Sequence, residues 1–425
     1  MELLVLFLVA AIMLLIGVPI GISLFLAMLV VVVGFDISSM TYLAQAMYTG
    51  LESLPLVAVP CFMLAGAIME TGGLSERIIN VANKLVGHTT GGLGTVTILA
   101  CLFFGAISGS APATAAAIGA IMIPFMMKDG YNGHYAAGLS GVAGGLGIIV
   151  PPSIPLVIYA ISTSTSVGDL FLAGIGPAIV VAVFLLIAHN LLAYKKGYVH
   201  KKEKAPFKDI IRAVWDAKWA LIMPIIILGG IYGGIFTPTE AAVIAIVYGL
   251  IIGIFVYQEL NWRDLFGMFE KNVSFVGGFM LTYAPAAALG GFLVMLGLPD
   301  IIRSALLSTT TNIYLILLIL NLFLLLLGMF LDCVSSIVVF APILYAVMVP
   351  MGIDPIHLGL IMVVNLAVGF VTPPVCMNLF VVSTQTGFSL DSIVKKALPL
   401  IIAMFLAVLV ITFMPGISLG ILQIL

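Results

Sequence analysis

The segment Gly-Ile-Ile-Val-Pro-Pro at 147–152 returns later in the chain as Gly-Phe-Val-Thr-Pro-Pro at 369–374. The glycine and both prolines of the two copies lie 222 positions apart, as the first residue numbers, 147 and 369, show. Each copy lies inside a long apolar stretch, where two consecutive prolines remove amide donors and clash with the preceding turn. The sequence therefore predicts two helices broken at matched positions, over about 133–163 and about 355–383. Two unrelated proline kinks are the alternative.

The composition is that of a membrane protein. Of the 425 residues, 63% are apolar and 8% are charged, against roughly a quarter charged in soluble domains. Because a transmembrane helix needs about 20 apolar residues, we predict an all-α integral membrane protein of about ten transmembrane helices in a lipid bilayer. The net charge of -2 provides no basic field for nucleic acid. The absence of a Walker, HExxH or usable GxSxG motif disfavours an ATPase or a hydrolase.

Ten spans are predicted from the uncharged stretches. They lie at about 3–20, 21–35, 54–70, 133–163, 167–194, 219–236, 240–257, 272–297, 355–383 and 397–415. Charged amphipathic segments predict three further helices along the membrane surface, with ordinary connecting helices as the alternative, at Ser75–Val86, Asn261–Glu270 and Asp300–Leu307. With these spans, every Lys and Arg except Arg303 falls on the side of the basic linker 195–218. The positive-inside rule therefore predicts that this linker is cytoplasmic.

Two further apolar stretches, at about 90–127 and about 312–350, are predicted to be re-entrant hairpins. The tip of the first reads Ser108-Gly109-Ser110-Ala-Pro112-Ala-Thr114, and the tip of the second reads Asp332-Cys-Val-Ser335-Ser336. The legs of the first hairpin, roughly 14–17 residues each, are short for a hydrocarbon layer of about 30 Å. The alternatives are a Gly/Ser packing seam for the first stretch and an aspartate at a turn between two full spans for the second.

The chain divides into two halves, 1–194 and 219–425, joined by the basic linker. Each half holds five predicted spans and one hairpin. Five is an odd number, so the second half crosses the membrane in the opposite direction to the first. The sequence therefore predicts an inverted-repeat bundle of the ion-transporter type, with its site near the membrane midplane at the interrupted segments.

The residues at the interruptions suit a cation and an acid. Carbonyl groups freed at the two breaks, together with the hydroxyls of Ser108, Ser110 and Thr372, are oxygen ligands of the kind that hard cations prefer. Asp332 is the only carboxylate between Ser304 and Ile353, and its burial in a membrane requires a partner such as a cation. Pro112 begins the returning helix of the first hairpin, whose N-terminus favours an anion.

The joint pattern resembles the large membrane subunit of the tripartite ATP-independent periplasmic (TRAP) transporters, over essentially the whole chain. The motifs that carry the resemblance are the first hairpin tip, Gly-Ile-Ile-Val-Pro-Pro-Ser-Ile-Pro at 147–155, Gly-Met-Phe-Leu-Asp at 328–332, Gly-Phe-Val-Thr-Pro-Pro at 369–374, Ala-Gly at 65–66, Gly-Gly-Leu-Ser at 72–75 and Leu-Val-Gly-His at 85–88. The resemblance implies sodium-coupled import of an organic acid, such as sialic acid, a C4-dicarboxylate or a sugar acid, by an elevator movement in the bacterial inner membrane.

The same resemblance implies partners. A periplasmic substrate-binding protein delivers the acid, and a small four-helix membrane subunit braces the large one. No small-subunit sequence precedes the first span, so we expect that subunit as a separate polypeptide or as one cut from the sequence. A stand-alone sodium/carboxylate symporter of the same architecture, without a binding protein, is the alternative.

Site residues are carried over from the family by position. One sodium site comprises Ser108, Ser110 and the backbone from Gly147 to Val150. A second comprises Asp332 and the backbone from Gly369 to Thr372. The residues assigned to the substrate are Ser108, Gly109, Ser110, Pro112, Thr114, Pro152, Ser335, Ser336 and Pro374. Cys333-Val334 departs from the more polar or proline-containing tip expected in many members, which leaves Asp332 as the main side-chain ligand of the second tip.

Overall fold

The computed structural model describes residues 1–198 and 204–423, and every regular element in these residues is helical. The part of the basic linker at 199–203 lies outside them. The first half contains α1 (Glu2–Leu15), α2 (Ile20–Phe35), α3 (Met40–Leu51), α4 (Ala58–Thr71), α5 (Leu74–Val86), α6 (Gly92–Ser108), α7 (Ala111–Lys128), α8 (Gly133–Gly144), α9 (Ile154–Thr163) and α10 (Val167–Lys196).

The rest of the chain adds eleven helices in its described residues. They are α11 (Phe207–Asp216), α12 (Lys218–Tyr232), α13 (Pro238–Ile251), α14 (Trp262–Met295), α15 (Leu298–Thr309), α16 (Ile313–Phe330), α17 (Cys333–Met348), α18 (Pro355–Gly369), α19 (Met377–Thr386), α20 (Leu390–Phe413) and α21 (Pro415–Leu419).

Many of these helices are suited to a membrane. Within the described residues, eight helical segments are long and apolar enough to cross one, and a ninth is added if α11 and α12, bent by 60°, form one span. The prediction of an all-α integral membrane protein is confirmed. The number differs from ten because the ten counted the shorter helices α1 and α2 and took each broken helix as one span. Three of the eight are arms of the predicted hairpins, whose re-entrant character stays a prediction.

The predicted interruptions lie where helices end. Helices α6 and α7 meet at Gly109-Ser110, and α16 and α17 meet at Leu331-Asp332. Helix α8 continues into a 3₁₀ turn at Gly145–Ile148 before the chain breaks and restarts as α9. Helix α18 ends at Gly369, and α19 begins at Met377. Both broken helices are therefore present, each with its Pro-Pro pair in the gap.

The offset of 222 residues extends far beyond the proline motif. Moved by 222, α6 falls on 314–330, where α16 spans Ile313–Phe330, and α7 falls on 333–350, where α17 begins at Cys333. The first residue of α10, moved by 222, falls on position 389, and α20 starts at Leu390. The helix boundaries of the two halves thus repeat within a few residues.

The contacts between helices of the two halves repeat in the same way as the helix boundaries. Helix α7 packs on α19 as α17 packs on α9, and α8 packs on α20 as α18 packs on α10. Helix α2 likewise packs on α14 as α13 packs on α4. Such reciprocal pairs are the arrangement that a two-fold relationship between repeats produces. The broken helices form the centre, because every residue of α8 from Tyr135 and of α18 from His357 is buried.

One surface helix was predicted wrongly. Asn261–Glu270 is not separate, because α14 runs unbroken for 34 residues from Trp262 to Met295. Its charged first third resembles a surface helix, but the helix continues past Lys271 and through Pro285 without a break. In the first half the corresponding stretch is split into α3 and α4 by a 3₁₀ turn that contains Pro55. Helix α3 was not predicted, whereas α5 and α15 lie where surface helices were expected.

Candidate functional site

The first hairpin tip holds three predicted site residues together. Ser108 ends α6, and Ser110 caps α7, where its hydroxyl accepts a hydrogen bond of 3.5 Å from the Ala113 N–H. The hydroxyl oxygens of Ser108 and Thr114 are 2.7 Å apart, and Thr114 Oγ1 donates to the Ser110 carbonyl at 2.8 Å. Ser108 and Thr114 are buried. The tip is therefore a small cluster of oxygen atoms inside the protein.

The first broken helix touches this tip through glycine. A Cβ atom on Gly147 would collide with Thr114 Oγ1 and with the carbonyl oxygen of Ser110. A Cβ on Gly105 would come 3.0 Å from the Cα of Gly147. Across the tip, the Ile154 N–H donates to the Gly109 carbonyl at 3.4 Å. The structure thus brings the predicted residues of the first site, on α6, α7 and the break, into direct contact.

The Pro-Pro pair leaves carbonyl oxygens without their helical donors. Pro151 and Pro152 lack an N–H, so Gly147 and Ile148 lose the donor four residues ahead. The Ser153 hydroxyl replaces the missing donor of Ile148, since Ser153 Oγ donates a hydrogen bond of 2.5 Å to the Ile148 carbonyl oxygen. The carbonyl oxygens of Gly147 and Val150 accept no hydrogen bond from the described residues. Free carbonyl oxygens beside a hydroxyl cluster fit a hard cation such as sodium.

The second hairpin tip is capped by its aspartate. Asp332 Oδ2 accepts a hydrogen bond of 2.9 Å from the Ser335 N–H at the start of α17. Ser335 and Ser336 are buried, and the Ser336 hydroxyl has no partner among the described residues. The carboxylate also lines a cavity of about 300 Å³ between α14 and α17, with Thr282 and Ser335 among its walls. Asp332 therefore combines a capping role with access to an open volume.

The second break contacts the second hairpin below its tip. A Cβ on Gly369 would collide with the backbone of Gly328, and a Cβ on Gly328 would come 3.2 Å from the Cα of Gly369. The Val375 N–H donates to the Met329 carbonyl at 3.4 Å. The Thr372 hydroxyl is engaged with the Val368 carbonyl at 2.7 Å. No hydrogen bond joins Asp332 to the Gly369–Thr372 backbone in the described chain. The second predicted site is thus less fully assembled than the first.

The two breaks also differ in exposure. Pro152 is buried together with its neighbour Pro151, whereas Pro373 and Pro374 are exposed. At the second break both freed carbonyls have donors, since Gly369 accepts from the Thr372 N–H and Phe370 from the Asn378 N–H, each at 3.1 Å. Pro112, predicted near the substrate, is half-buried in the first turn of α7. The first site is accordingly closed over, and the second is open at its prolines.

Sequence analysis missed the buried amides near these breaks. Asn378, just after the second break, donates through Nδ2 to the Gly141 carbonyl of α8 at 3.2 Å, and its Oδ1 has no partner among the described residues. On α18, Asn365 donates to Asn321 Oδ1 at 2.6 Å, and Thr412 donates to the same oxygen at 3.1 Å. The available signal was the presence of asparagine within apolar stretches.

Two helical hairpins, each packed on a helix broken at a Pro-Pro pair, recur in two halves with matching boundaries. Matched interruptions in two repeated halves are typical of multi-pass membrane transporters. The chain matches the family described as "Tripartite ATP-independent periplasmic transporter, DctM component" over residues 7–417. It therefore belongs to the DctM family, the large permeases of the TRAP transporters.

Individual relatives support the assignment. The chain is 38% identical to the C4-dicarboxylate TRAP transporter large permease protein DctM of Vibrio cholerae, over 98% of the chain and 97% of that protein. It is 34% identical to the sialic acid TRAP transporter large permease protein SiaM of the same species, over 95% of the chain and 94% of that protein. It is 41% identical to the isethionate TRAP transporter permease protein DctMQ of Oleidesulfovibrio alaskensis, over 96% of the chain but 64% of that longer protein.

The fold also matches a solved structure. The YdaH transporter of Alcanivorax borkumensis superposes with a TM-score of 0.63 at 17% sequence identity, over 89% of each chain. At that identity the likeness concerns the fold alone. It agrees with the all-helical membrane architecture described above.

Proposed function

We propose that this chain is the membrane permease of a sodium-coupled importer of an organic acid. A periplasmic binding protein delivers the acid, and a small four-helix membrane subunit completes the transporter. Membership of the DctM family is the observation that carries this proposal. The relatives are named for isethionate, C4-dicarboxylates and sialic acid, all of them organic anions. Sialic acid, a C4-dicarboxylate, a sugar acid and a sulfonate are therefore the substrates to test.

Sodium coupling is supported by the ligands at the first break. The Gly147 and Val150 carbonyl oxygens are free of hydrogen bonds from the described chain, and the Ser108 and Thr114 hydroxyls lie beside Gly147. These neutral oxygens suit a hard monovalent cation, which keeps few waters inside a buried site. Asp332 supplies a negative charge at the second tip, where a second ion would neutralise it. Two or more sodium ions are therefore expected in a transport cycle.

The elevator proposal assigns different roles to the two groups of helices. Helices α6 to α10 with α16 to α20 carry both hairpins and both breaks and move together, while α1 to α5 with α11 to α15 form the scaffold. The inverted repeat gives the moving part equivalent inward-facing and outward-facing positions. The different exposure of Pro152 and Pro374 supports such a two-state device. The proposed setting is the bacterial inner membrane, with the basic linker in the cytoplasm.

The proposal is tested by uptake into proteoliposomes. They contain this chain and its small subunit, and uptake of radiolabelled sialic acid, succinate, gluconate and isethionate is measured with and without an inward sodium gradient. A matching binding protein is added or omitted. Uptake that requires both the gradient and the binding protein supports the proposal and names the substrate. Uptake without the binding protein would indicate a stand-alone symporter. Uptake without a sodium gradient would contradict sodium coupling.

A further inference from the structure

A polar cavity of about 650 Å³ lies beside the N-terminus of α12, far along the chain from either hairpin tip. Helices α5, α11 and α12 and the segment after α13 form its walls. The polar and aromatic residues that line it include Glu76, Asn80, Trp215, Asp216, Lys218 and Trp219. No residue assigned to the transport site contributes to it.

The charges in this cavity are of both signs. Arg77 is already engaged, because its guanidinium pairs with Glu259 at 2.8 Å and stacks 3.6 Å above the Tyr257 ring. Lys218 stands 3.7 Å from the centre of the Trp215 ring. The carboxylates of Glu76 and Asp216 form no salt bridge with any described residue. The cavity therefore offers one ammonium group and two carboxylates to a ligand.

A second cavity, of about 440 Å³, is almost wholly apolar. It lies between α5 and α12 on one side and α6, α10 and the first break on the other, and Val150 and Pro151 form part of its wall. Phe103, Ile179 and Ile225 line it and are each largely exposed. In a membrane these side chains face hydrocarbon, so this cavity opens toward the lipid chains.

The two cavities occupy neighbouring positions on the same two helices. On α5, Arg77 lines the polar cavity and Ile78 lines the apolar one. On α12, Trp219 lines the polar cavity, while Ala220 and the following turns line the apolar one. A polar volume with both charges thus lies within one residue of an apolar volume on both α5 and α12, and the apolar volume continues along α12 as far as Leu228. This is the shape and chemistry of a site for one amphiphile.

We propose that these two cavities bind a phospholipid whose headgroup carries both a phosphate and a primary ammonium group, as phosphatidylethanolamine does. The phosphate binds Lys218, and the ammonium group donates hydrogen bonds to Glu76 and Asp216. An acyl chain fills the apolar cavity. A purely anionic headgroup would face two unpaired carboxylates, and a choline headgroup has no N–H to donate to them.

Helix α11 places this site at the membrane surface. Its residues Phe207, Ile211 and Trp215 are 76%, 53% and 67% exposed, whereas Ala213 packs beneath it against Val81 of α5. Such a helix lies in the interface with its apolar face among the lipids. Trp215 belongs both to that face and to the polar cavity, so the headgroup site is at headgroup depth. This inference requires the membrane setting and does not rest on sodium-coupled acid transport.

The experiment is native mass spectrometry of the purified full chain. The protein is exchanged into detergent with equal amounts of phosphatidylethanolamine, phosphatidylglycerol and phosphatidylcholine of identical acyl chains, and the retained lipid is counted. We expect preferential retention of phosphatidylethanolamine, weakened about threefold to fivefold by Lys218→Gln. Asp216→Asn should reduce the preference over phosphatidylcholine. Lys208→Gln, on α11 but outside the cavity, is the matched control and should change nothing.

Location is tested separately with phosphatidylethanolamine that carries a photoactivatable group in its acyl chain. Cross-links to Phe103, Ile179 or Ile225 are expected in the unmodified chain, which needs no variant to fold. Cross-links confined to other helices would overturn the proposal. Equal retention of the three lipids, preference for phosphatidylglycerol, or an equal effect of Lys218→Gln and Lys208→Gln would overturn it as well. Uptake measurements have no part in either test, so failure here leaves the proposed transport function standing.

Discussion

Gly147 lies directly against Thr114, with no space between them for a side chain. This contact joins the first broken helix to the first hairpin tip, and the Ser110 carbonyl closes it from the other side. Backbone from one element and hydroxyl groups from another thereby share one small volume. The same pairing of glycine with a hairpin leg recurs at Gly328 and Gly369.

Gly147→Ala is therefore expected to abolish uptake and to lower stability. The added methyl group meets a backbone oxygen, which cannot move aside as a flexible side chain can, and overpacking of this kind costs about 1–3 kcal/mol. Thermal unfolding of the purified protein and uptake in proteoliposomes measure the two effects. Gly229→Ala is the matched control, because a Cβ there meets nothing within 4 Å and α12 is helical. A wild-type melting temperature and uptake rate for Gly147→Ala would contradict the close contact.

Asp332→Asn is expected to raise the sodium concentration for half-maximal uptake about tenfold or more, because a charged ligand near a cation contributes more than about 1.4 kcal/mol. The amide keeps the shape of the side chain, so membrane insertion should be unchanged. Uptake is measured over a sodium series at fixed acid concentration. Asp300→Asn is the control, since Asp300 is exposed and paired with Arg303 at 2.7 Å. An unaltered sodium dependence in Asp332→Asn would remove this carboxylate from the site.

Ser110→Ala addresses the first site in the same assay. Ser110 is the N-cap of α7, and loss of such a cap costs about 1 kcal/mol of stability. A role limited to capping predicts a lower melting temperature with normal sodium dependence. A role in binding sodium predicts weakened sodium dependence as well. Ser166→Ala, which removes the similar N-cap of α10 far from the tip, shows the effect of capping alone. Identical results for the two variants would leave Ser110 with no ligand role.

The sequence predicted the interruptions well because their signals are local. The predicted hairpin at 90–127 corresponds to α6 and α7, which end at Lys128, and the predicted break near 147–152 lies between α8 and α9. Proline pairs and polar tips act on their own neighbours, so a single segment reveals them. The continuity of α14 was missed because its charged first third resembled a surface segment.

Local sequence patterns did not predict contacts between segments that are far apart in the chain. Asn321 and Asn365 are 44 residues apart and on different helices, and only their packing places the amides 2.6 Å from each other. The neighbouring cavities at α12 likewise arise from five helices of both halves, α5, α6, α10, α11 and α12. An asparagine within an apolar stretch marks each residue as unusual, but no local pattern shows which two side chains meet or where a cavity forms. The partnership of Asp332 with the second break, inferred from resemblance, is joined by no hydrogen bond in the described chain and stays a prediction.

The orientation in the membrane predicts a labelling pattern. Lys204 is exposed in the described part of the basic linker, so Lys204→Cys should react with an impermeant thiol reagent only from the cytoplasmic side. Asp300→Cys, on α15, should react only from the outside. Of the native cysteines, Cys101, Cys333 and Cys376 are buried, and Cys61→Ser removes the half-buried fourth. Labelling of Lys204→Cys in intact cells would reverse the whole topology.

The buried amides of α16 and α18 predict a stability effect that is not additive. Asn321 Oδ1 accepts from both Asn365 Nδ2 and Thr412 Oγ1, and all three side chains are buried. Asn321→Leu leaves the Thr412 hydroxyl without an acceptor and Asn365 Nδ2 with only the Ile361 carbonyl at 2.8 Å, and an unsatisfied buried group costs about 1–3 kcal/mol. Adding Asn365→Leu removes one of those donors together with its polar group, so the double variant should unfold at a higher temperature than Asn321→Leu alone. Thermal unfolding of the wild type, both single variants and the double variant measures this coupling. If the two substitutions lower the melting temperature additively, the hydrogen bond between the amides contributes nothing, and the two asparagines act through separate neighbours.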